Sequence, residues 1–348
     1  RTVGIYEKPA ESFLAALDAE FAFRAPREHG HDVVEAIRAM RDGRARFFMA
    51  MGGNFVSATP DTAVTEAALE NLELTVQVST KLNRSHTVTG TRAIILPVLG
   101  RTDRDERNGA EQKVTVEDSM GAVHASRGRL APPAEGMYSE VALVAELGGL
   151  LFAGSDGAEP LPNAPKADWA ALAGDYAQVR THLEHVVPGF EDFERRIDRG
   201  RTMFLPNGPR DSRTFTTSDG KAHFTVNALE CLPVPEGRLI LQTLRSHDQY
   251  NTTIYGKDDR YRGIYGGRRV VLVNPADVRA LGFQDAQIVD LVSEWTLDDG
   301  RVEERRAEAF RIVEYDTPVG NAAAYYPETN VLVPLDSAAE ESNTPVSK

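Results

Sequence analysis

Only one cysteine, Cys231, occurs in 348 residues. That scarcity excludes a disulfide framework, a multi-cysteine zinc site and a self-contained iron–sulfur cluster, each of which needs several thiolates. The text around it, Ala228 to Pro233, is mostly apolar and has no basic neighbour to stabilise a thiolate, so Cys231 reads as a buried structural thiol. Positive charge is also scarce. Against 52 Asp and Glu stand 39 Lys and Arg, a formal net charge of -13, which argues against a nucleic-acid partner because duplex phosphates demand a concentrated basic surface. No apolar run approaches the roughly 20 residues that span a bilayer, so no membrane partner is expected. The opening Arg1-Thr2-Val3-Gly4 lacks a basic-then-apolar leader and reads as the interior of a longer, cytoplasmic polypeptide.

Three catalytic signatures are missing as well. No Gly-x-Ser-x-Gly elbow is present to turn His247-Asp248 into a hydrolase triad. No His-x-x-x-His with a nearby Glu points to zinc, and no Gly-x-Gly-x-x-Gly follows a strand to hold a nicotinamide cofactor. His182 and His185 lie about one turn apart on a helix, but with no third ligand in sight they read as an exposed face.

What remains is an ordinary globular composition, 41% hydrophobic and 26% charged, with room for two or three domains. Apolar spacing predicts helices over Pro9–Phe21 and His31–Met40, the second stopped by Gly43. A buried strand over residues 44–51 then runs into Gly52-Gly53-Asn54. Thr59 as cap, Pro60 in the first turn and Asp61 at the positive helix end predict a helix to about Asn71. Strands at Leu72–Val78 and Ala93–Leu96 flank a polar loop, an order typical of a doubly wound α/β unit. Farther on, a strand at Val114–Val116 and a helix at Ser139–Leu147 ended by Gly148-Gly149 are expected. An exposed connection from Gly154 to Pro165 and helices over 169–186 and 190–198 follow. From residue 201 the grammar changes to short strands (224–226, 239–243, 270–273, 288–292, 310–313 and 331–333), so a second, mainly β barrel domain spans 201–348 after an α/β domain at 1–200. Its clear helix is Asn274–Gly282, with Asn274 as cap, Pro275 in the first turn and Gly282 as the left-handed stop.

Three polar clusters follow predicted strands. Gly52-Gly53-Asn54 lets a bound group approach the backbone, although a tight turn would need the same residues. Ser79, Lys81, Asn83, Arg84 and His86 load one loop with hydrogen-bonding groups; a solvated surface loop is the plainer alternative. The run Arg245, Ser246, His247, Asp248, Gln249, Tyr250, Asn251, Thr252 and Thr253 is longer than a turn requires and offers both donors and acceptors to base edges and phosphates.

These motifs, in this order, resemble a known family. Met51-Gly52-Gly53-Asn54-Phe55 with Ala58-Thr59-Pro60-Asp61, Ser79 to His86, Ala93 to Pro97, Leu244 to Asn251, Asn274 to Asp277, and Tyr326-Pro327-Glu328-Thr329-Asn330 are similar to the carboxyl-terminal half of molybdopterin oxidoreductases, in particular the formate dehydrogenase alpha-subunit-like group. The resemblance implies a Rossmann-like α/β domain followed by a double-psi β-barrel that together clamp bis-molybdopterin guanine dinucleotide and its molybdenum. It implies cofactor contacts for Gly52, Gly53, Asn54, Ser79, Asn83, Arg84, Arg245 through Thr252, and Asn330. The molybdenum ligand and any iron–sulfur cysteines would belong to the amino-terminal half, the expected partner, acting on a small-molecule substrate. A non-catalytic pterin- or nucleotide-binding module, or a regulatory remnant, is the alternative.

Overall fold

The computed structural model describes residues 9–152, 161–198, 202–228, 233–252, 254, 256–297, 299–339 and 342–345. Cys231, Thr253 and most of the connection after Gly154 lie outside them. Two compact units, each built from two stretches of chain, divide the protein: unit 1 takes Arg1–Gly30 and Pro97–Ala228, and unit 2 takes His31–Leu96 and Leu229–Lys348.

Unit 2 begins with α1 (Val33–Arg41), whose first turn is fixed by the Asp32 carboxylate accepting from the Glu35 amide at 2.9 Å. Val34, Ile37 and Met40, three residues apart, bury one stripe. After Gly43, whose φ of +71° suits glycine, comes β1 (Phe47–Met51). Two helices follow, α2 (Phe55–Ala58) and α3 (Thr62–Glu70), and then β2 (Leu74–Ser79), which pairs in parallel with β1, Phe47 opposite Leu74 and Met51 opposite Val78. β3 (Arg92–Pro97) completes a sheet with β2 in the centre. Val34, Ile37, Met40, Val56, Leu69, Leu72, Val88 and Leu335 form the core beneath it. At roughly 1.5–3 kcal/mol for each large side chain removed from water, this cluster is the main local stabiliser.

The single helix expected from Pro60 is instead a short turn of helix, a break, and α3. Asp61 precedes α3 in the left-handed region, φ +52°, and does not cap it. Its carboxylate is held from far along the chain by Arg305 and by the Leu335 amide, so a tertiary tie overrides the local capping preference. Thr59 is likewise buried, its hydroxyl donating back to the Phe55 carbonyl at 2.9 Å.

The later half of unit 2 is a mixed five-stranded sheet of β4 (Ile240–Leu244), β5 (Val270–Val273), β6 (Ile288–Thr296), β7 (Val302–Glu314) and β8 (Asn321–Tyr325), in the order β6-β7-β5-β8-β4. β5 is buried along its whole length, parallel to β7 and antiparallel to β8. Between β5 and β6 lies α4 (Pro275–Ala280), capped as expected by Asn274, with Gly282 at φ +75° beyond it. Two expectations fail here. Val331–Val333 is not a strand; residues Asn330–Leu332 make a 3-10 turn, and the strand sits earlier, at Asn321–Tyr325. Three alanines in a row hide that strand, because alanine has low strand propensity, yet their small side chains are what permits burial between β5 and β4. In unit 1, Phe224 and Val226 also form no strand, and both are fully exposed.

Unit 1 holds the helices Glu11–Phe21, Glu140–Phe152, Trp169–Gly174, Tyr176–Val186 and Phe193–Asp198 and the antiparallel strands Val114–Glu117, Ala122–Ser126 and Met203–Phe204. Gly148-Gly149, expected to stop a helix, lies inside one. A Cβ on Gly148 would meet the Trp169 ring at 2.5 Å, so the glycine serves close packing rather than termination. The expected helix over 169–186 is broken at Asp175, extended at φ -150°, whose carboxylate caps the second piece through the Ala177 amide at 2.9 Å.

The architecture is mixed α/β throughout, in agreement with the fold class read from sequence at that level.

Candidate functional site

Because β1 and β2 are parallel, their carboxyl ends point the same way, and the loops that leave them meet. Gly52 and Gly53 turn with φ of +65° and +73°, conformations costly for other residues. The Gly52 amide still bonds the Val78 carbonyl at 2.8 Å, while nothing lies within 4 Å of where a Cβ on Gly53 would stand. The backbone at Gly53 is therefore open to a ligand.

Asn83 ties the second loop to the first. Its side-chain amide donates to the Gly53 carbonyl at 2.7 Å, while its oxygen accepts from the Ser85 amide at 2.9 Å. The Ser85 hydroxyl in turn donates to the buried Asn54 side chain at 3.0 Å and accepts from the Val56 amide at 3.0 Å. His86 Nδ1 accepts from the Asn83 amide at 3.1 Å, which leaves the ring proton on Nε2, a buried donor with no partner among the described residues. Ser79 closes its own turn by donating to the Lys81 carbonyl at 2.7 Å. Arg84 is held over the loop by two bonds to Glu66, at 2.6 and 3.1 Å.

These loops form one wall of a cleft of about 570 Å³ that lies wholly within unit 2. Asn54, Ser57, Asn83 and Arg84 line that wall, and Arg269, Arg306, Glu308, Phe310 and Glu328 line the other. Arg269 is aimed by its bond to the Glu308 carbonyl at 2.7 Å, and Arg306 by Asp290 at 3.1 Å. Three guanidiniums thus face one cavity, a donor arrangement that suits phosphate oxygens.

Of the expected residues, Asn54, Asn83 and Arg84 line the cleft, Gly53 is tied to it through its bond to Asn83, and Gly52 and Ser79 are not among the lining residues. Asn330 is close but turned inward: its amide donates to the Ser57 carbonyl at 2.8 Å and fastens the end of the β region to α2. The run from Arg245 to Thr252 does not line the cleft. Ser246 and Gln249 instead accept from Arg268 at 2.8 and 2.9 Å, and Arg268 pairs with Glu328 at 2.8 Å, which links this run to the cleft wall. Arg245 lies 5.4 Å over the Tyr326 ring, His247 stacks on Tyr261 with ring centres 4.0 Å apart, and Asp248 is 3.8 Å from Arg260. Burial pushes the Tyr326 phenol up, with the Arg245 charge opposing it, so Tyr326 stays a neutral hydrogen-bond donor. Asn251 turns at φ +47°, Thr252 is buried and Tyr250 is exposed.

Arg268, Arg269, Arg306 and Glu328 were not singled out in sequence as site residues. The available signal was Gly266-Gly267-Arg268-Arg269, a glycine turn carrying two cations directly into the buried strand β5.

The donor set fits the polar part of a large anionic cofactor: guanidiniums for phosphates, side-chain amides and a hydroxyl for base or pterin edges, and an open glycine backbone. No cysteine lines the cleft among the described residues.

Fold and cleft together define a mixed α/β protein whose arginine-lined cleft has the donors that a dinucleotide-like anion requires. The sequence profile of the family described as "Molydopterin dinucleotide binding domain" matches residues 239–348. The "Uncharacterized oxidoreductase Rv2900c" of Mycobacterium tuberculosis (strain ATCC 25618 / H37Rv) is 60% identical over 348 residues, 100% of this chain and 44% of its own length. "Protein YdeP" of Escherichia coli (strain K12) is 39% identical over 349 residues, covering 99% of this chain and again 44% of the relative. The chain thus spans less than half the length of the curated relatives it matches. Among solved structures, "Acetylene Hydratase from Pelobacter acetylenicus" aligns with a TM-score of 0.51 and 13% identity over 96% of this chain and 48% of that one, a likeness of fold alone. Residues 239–348 are a molydopterin dinucleotide binding domain, and the resemblance of the chain to the carboxyl-terminal half of the molybdopterin oxidoreductases is thereby shown.

Proposed function

We propose that the chain is the cofactor-clamping part of a molybdenum-dependent, formate dehydrogenase-like oxidoreductase, with the unit 2 cleft as a seat for bis-molybdopterin guanine dinucleotide. The observation that carries this reading is the convergence of Arg84, Arg269 and Arg306 with the open Gly53-Asn54 loop, inside the unit that contains the matched domain. The finer architecture that belongs with it is a Rossmann-like doubly wound domain followed by a double-psi barrel. The parallel β1–β2 pair with helices between its strands, and the mixed sheet of β4 to β8, support it.

When bound, the molybdenum centre supplies two-electron transfer. The residues of this chain bind and orient: the arginines oppose phosphate charge, Asn54, Asn83 and Ser57 hydrogen-bond ring or ribose edges, and Arg245 through Thr252 with Asn330 fix the surrounding walls. The metal's protein ligand, and any iron–sulfur cysteines, belong to the amino-terminal half of the longer protein. In support, Phe47, Met51, Ile94 and Ile95 expose apolar surface on the edge strands β1 and β3, which a further stretch of chain would cover. No helix among the described residues is long and apolar enough to cross a membrane; the proposed setting is cytoplasmic.

The test uses the full-length protein from cells that make the cofactor. Molybdenum and released guanine nucleotide should both be stoichiometric, and Arg269→Gln with Arg306→Gln should lower both at least tenfold while the fold persists. Metal-free, nucleotide-free wild-type protein would overturn the proposal. Cofactor bound without redox turnover on any small-molecule donor would favour the non-catalytic module instead.

A further inference from the structure

One cluster in unit 1 has no part in that cleft. His182 and His185 stand three residues apart on the helix Tyr176–Val186, so both rings leave the same face. The third partner absent from the local sequence comes from the helix Glu11–Phe21: Glu20 places Oε1 2.5 Å from Nδ1 of His182 and 2.8 Å from Nδ1 of His185. One ligand atom from each residue lies within 4.8 Å of the others. Glu20 is largely buried, and among the described residues no lysine or arginine is paired with it, so its charge is left to the two imidazoles. The Phe21 ring, 4.8 Å from that of His182, props the imidazole in place, while the half-exposed His185 keeps one side open to solvent.

We propose that Glu20, His182 and His185 bind one divalent transition cation, of which Zn²⁺ is the best chemical match, with water as the fourth ligand. Two neutral imidazoles and one carboxylate are the borderline nitrogen and oxygen donors that zinc prefers over calcium or magnesium. Tetrahedral coordination at about 2.0–2.1 Å sets neighbouring ligand atoms about 3.3 Å apart. The two Glu20–imidazole separations need to open by less than about 1 Å, within reach of a carboxylate rotation, and the two imidazole ligand atoms already lie within 4.8 Å of each other. The ion displaces the protons that the imidazoles otherwise share with Glu20 and pins the helix Glu11–Phe21 to the helix Tyr176–Val186. This site is independent of the molybdenum reading and carries no redox chemistry.

Zinc titration of the chain by calorimetry at neutral pH, with melting temperature followed in parallel, tests it. The expected result is one Zn²⁺ per chain, a rise in melting temperature on zinc addition, and no comparable response to Mg²⁺. Glu20→Gln and His185→Asn should each weaken binding at least tenfold and abolish the thermal rise. Circular dichroism in zinc-free buffer checks folding, and the half-exposed His185 serves as the deciding variant if Glu20→Gln fails to fold. No zinc uptake by the wild type, or uptake unchanged in His185→Asn, overturns the proposal and leaves a hydrogen-bonded cluster only.

Discussion

Replacing Asp61 with asparagine probes the tie that holds α3, and with it Thr62 on the cleft wall, to β7. The Asp61 side chain is 6% exposed and that of Arg305 12%, so solvent screens their 2.8 Å contact little. The other carboxylate oxygen accepts from the Leu335 amide at 3.1 Å. Asparagine keeps the shape, the tolerance of a left-handed φ and one acceptor, but removes the charge and sets an amide donor against either Arg305 or the Leu335 amide. Orphaning a buried charge costs roughly 3–5 kcal/mol, but Arg305 keeps Glu303 at 2.7 Å as a second partner, on a side chain that is 42% exposed. The expected cost of Asp61→Asn is therefore about 2 kcal/mol, the worth of one hydrogen bond to a charged group. Arg305→Met is harsher, about 3 kcal/mol, because it leaves the Asp61 carboxylate buried with a single backbone donor. The double variant should cost about 1–2 kcal/mol less than the sum of the two. Urea unfolding read by Trp295 in a Trp169→Phe background isolates unit 2, since Trp295 sits on β6 opposite Glu303 and Trp169 belongs to unit 1. Strict additivity, to within about 0.5 kcal/mol, would refute the coupling inferred from the geometry.

Gly148→Ala should destabilise unit 1 by roughly 1–3 kcal/mol, because the new methyl meets the Trp169 ring, whereas Gly149→Ala, with its nearest neighbour at an ordinary 3.4 Å, should be neutral or slightly stabilising; equal melting temperatures for the two variants would contradict this. Burial, reinforced by its hydrogen bond to Asp105, pushes the Tyr176 phenol up to about 12, so its contribution is complete below about pH 10 and is lost as pH rises through 12. The stability gap between wild type and Tyr176→Phe, read by Trp169, should accordingly shrink between pH 9 and pH 12; a gap that stays constant across that range rules the assignment out. Asn83→Ala removes the bond to the Gly53 carbonyl and the cap on the Ser85 amide, so it should cost about 1–2 kcal/mol and lower the guanine nucleotide content of the full-length protein. Unchanged nucleotide content would mean that the loop binds nothing.

Local chemistry made some elements easy to read. Asn274, Pro275 and Gly282 punctuate α4 within nine residues, and β5 is an unbroken apolar run. Gly52-Gly53-Asn54 and Asn83 could be paired as loops because parallel strands carry their ends to one side. Other features were set by partners far away in sequence. Asp61 looks like a helix-start residue until Arg305, 244 positions later, takes its carboxylate. Gly148 looks like a stop until Trp169 packs on it, and the alanines of β8 look like nothing until β5 and β4 pair on either side of them. Arg269 directly precedes β5 and Arg306 lies on β7, and only the sheet brings them to one wall of the cavity.

Unit 2 is closed by residues from both of its stretches, with Pro97–Ala228 lying between them in sequence. Leu335 completes the core that α1 and α3 begin, Asn330 fastens α2, and Arg305 secures Asp61. On a ribosome working at about 5–20 residues per second, the 244 positions that separate Asp61 from Arg305 take roughly 10–50 s to appear. During that interval the core that α1 and α3 build against β1 and β2 lacks Leu335, and the Asp61 carboxylate lacks its cation. The tie that shapes the cleft thus forms only once Arg305 and Leu335 have been made, and a truncation short of Leu335 would leave Asp61 without its backbone donor and the core one side chain short.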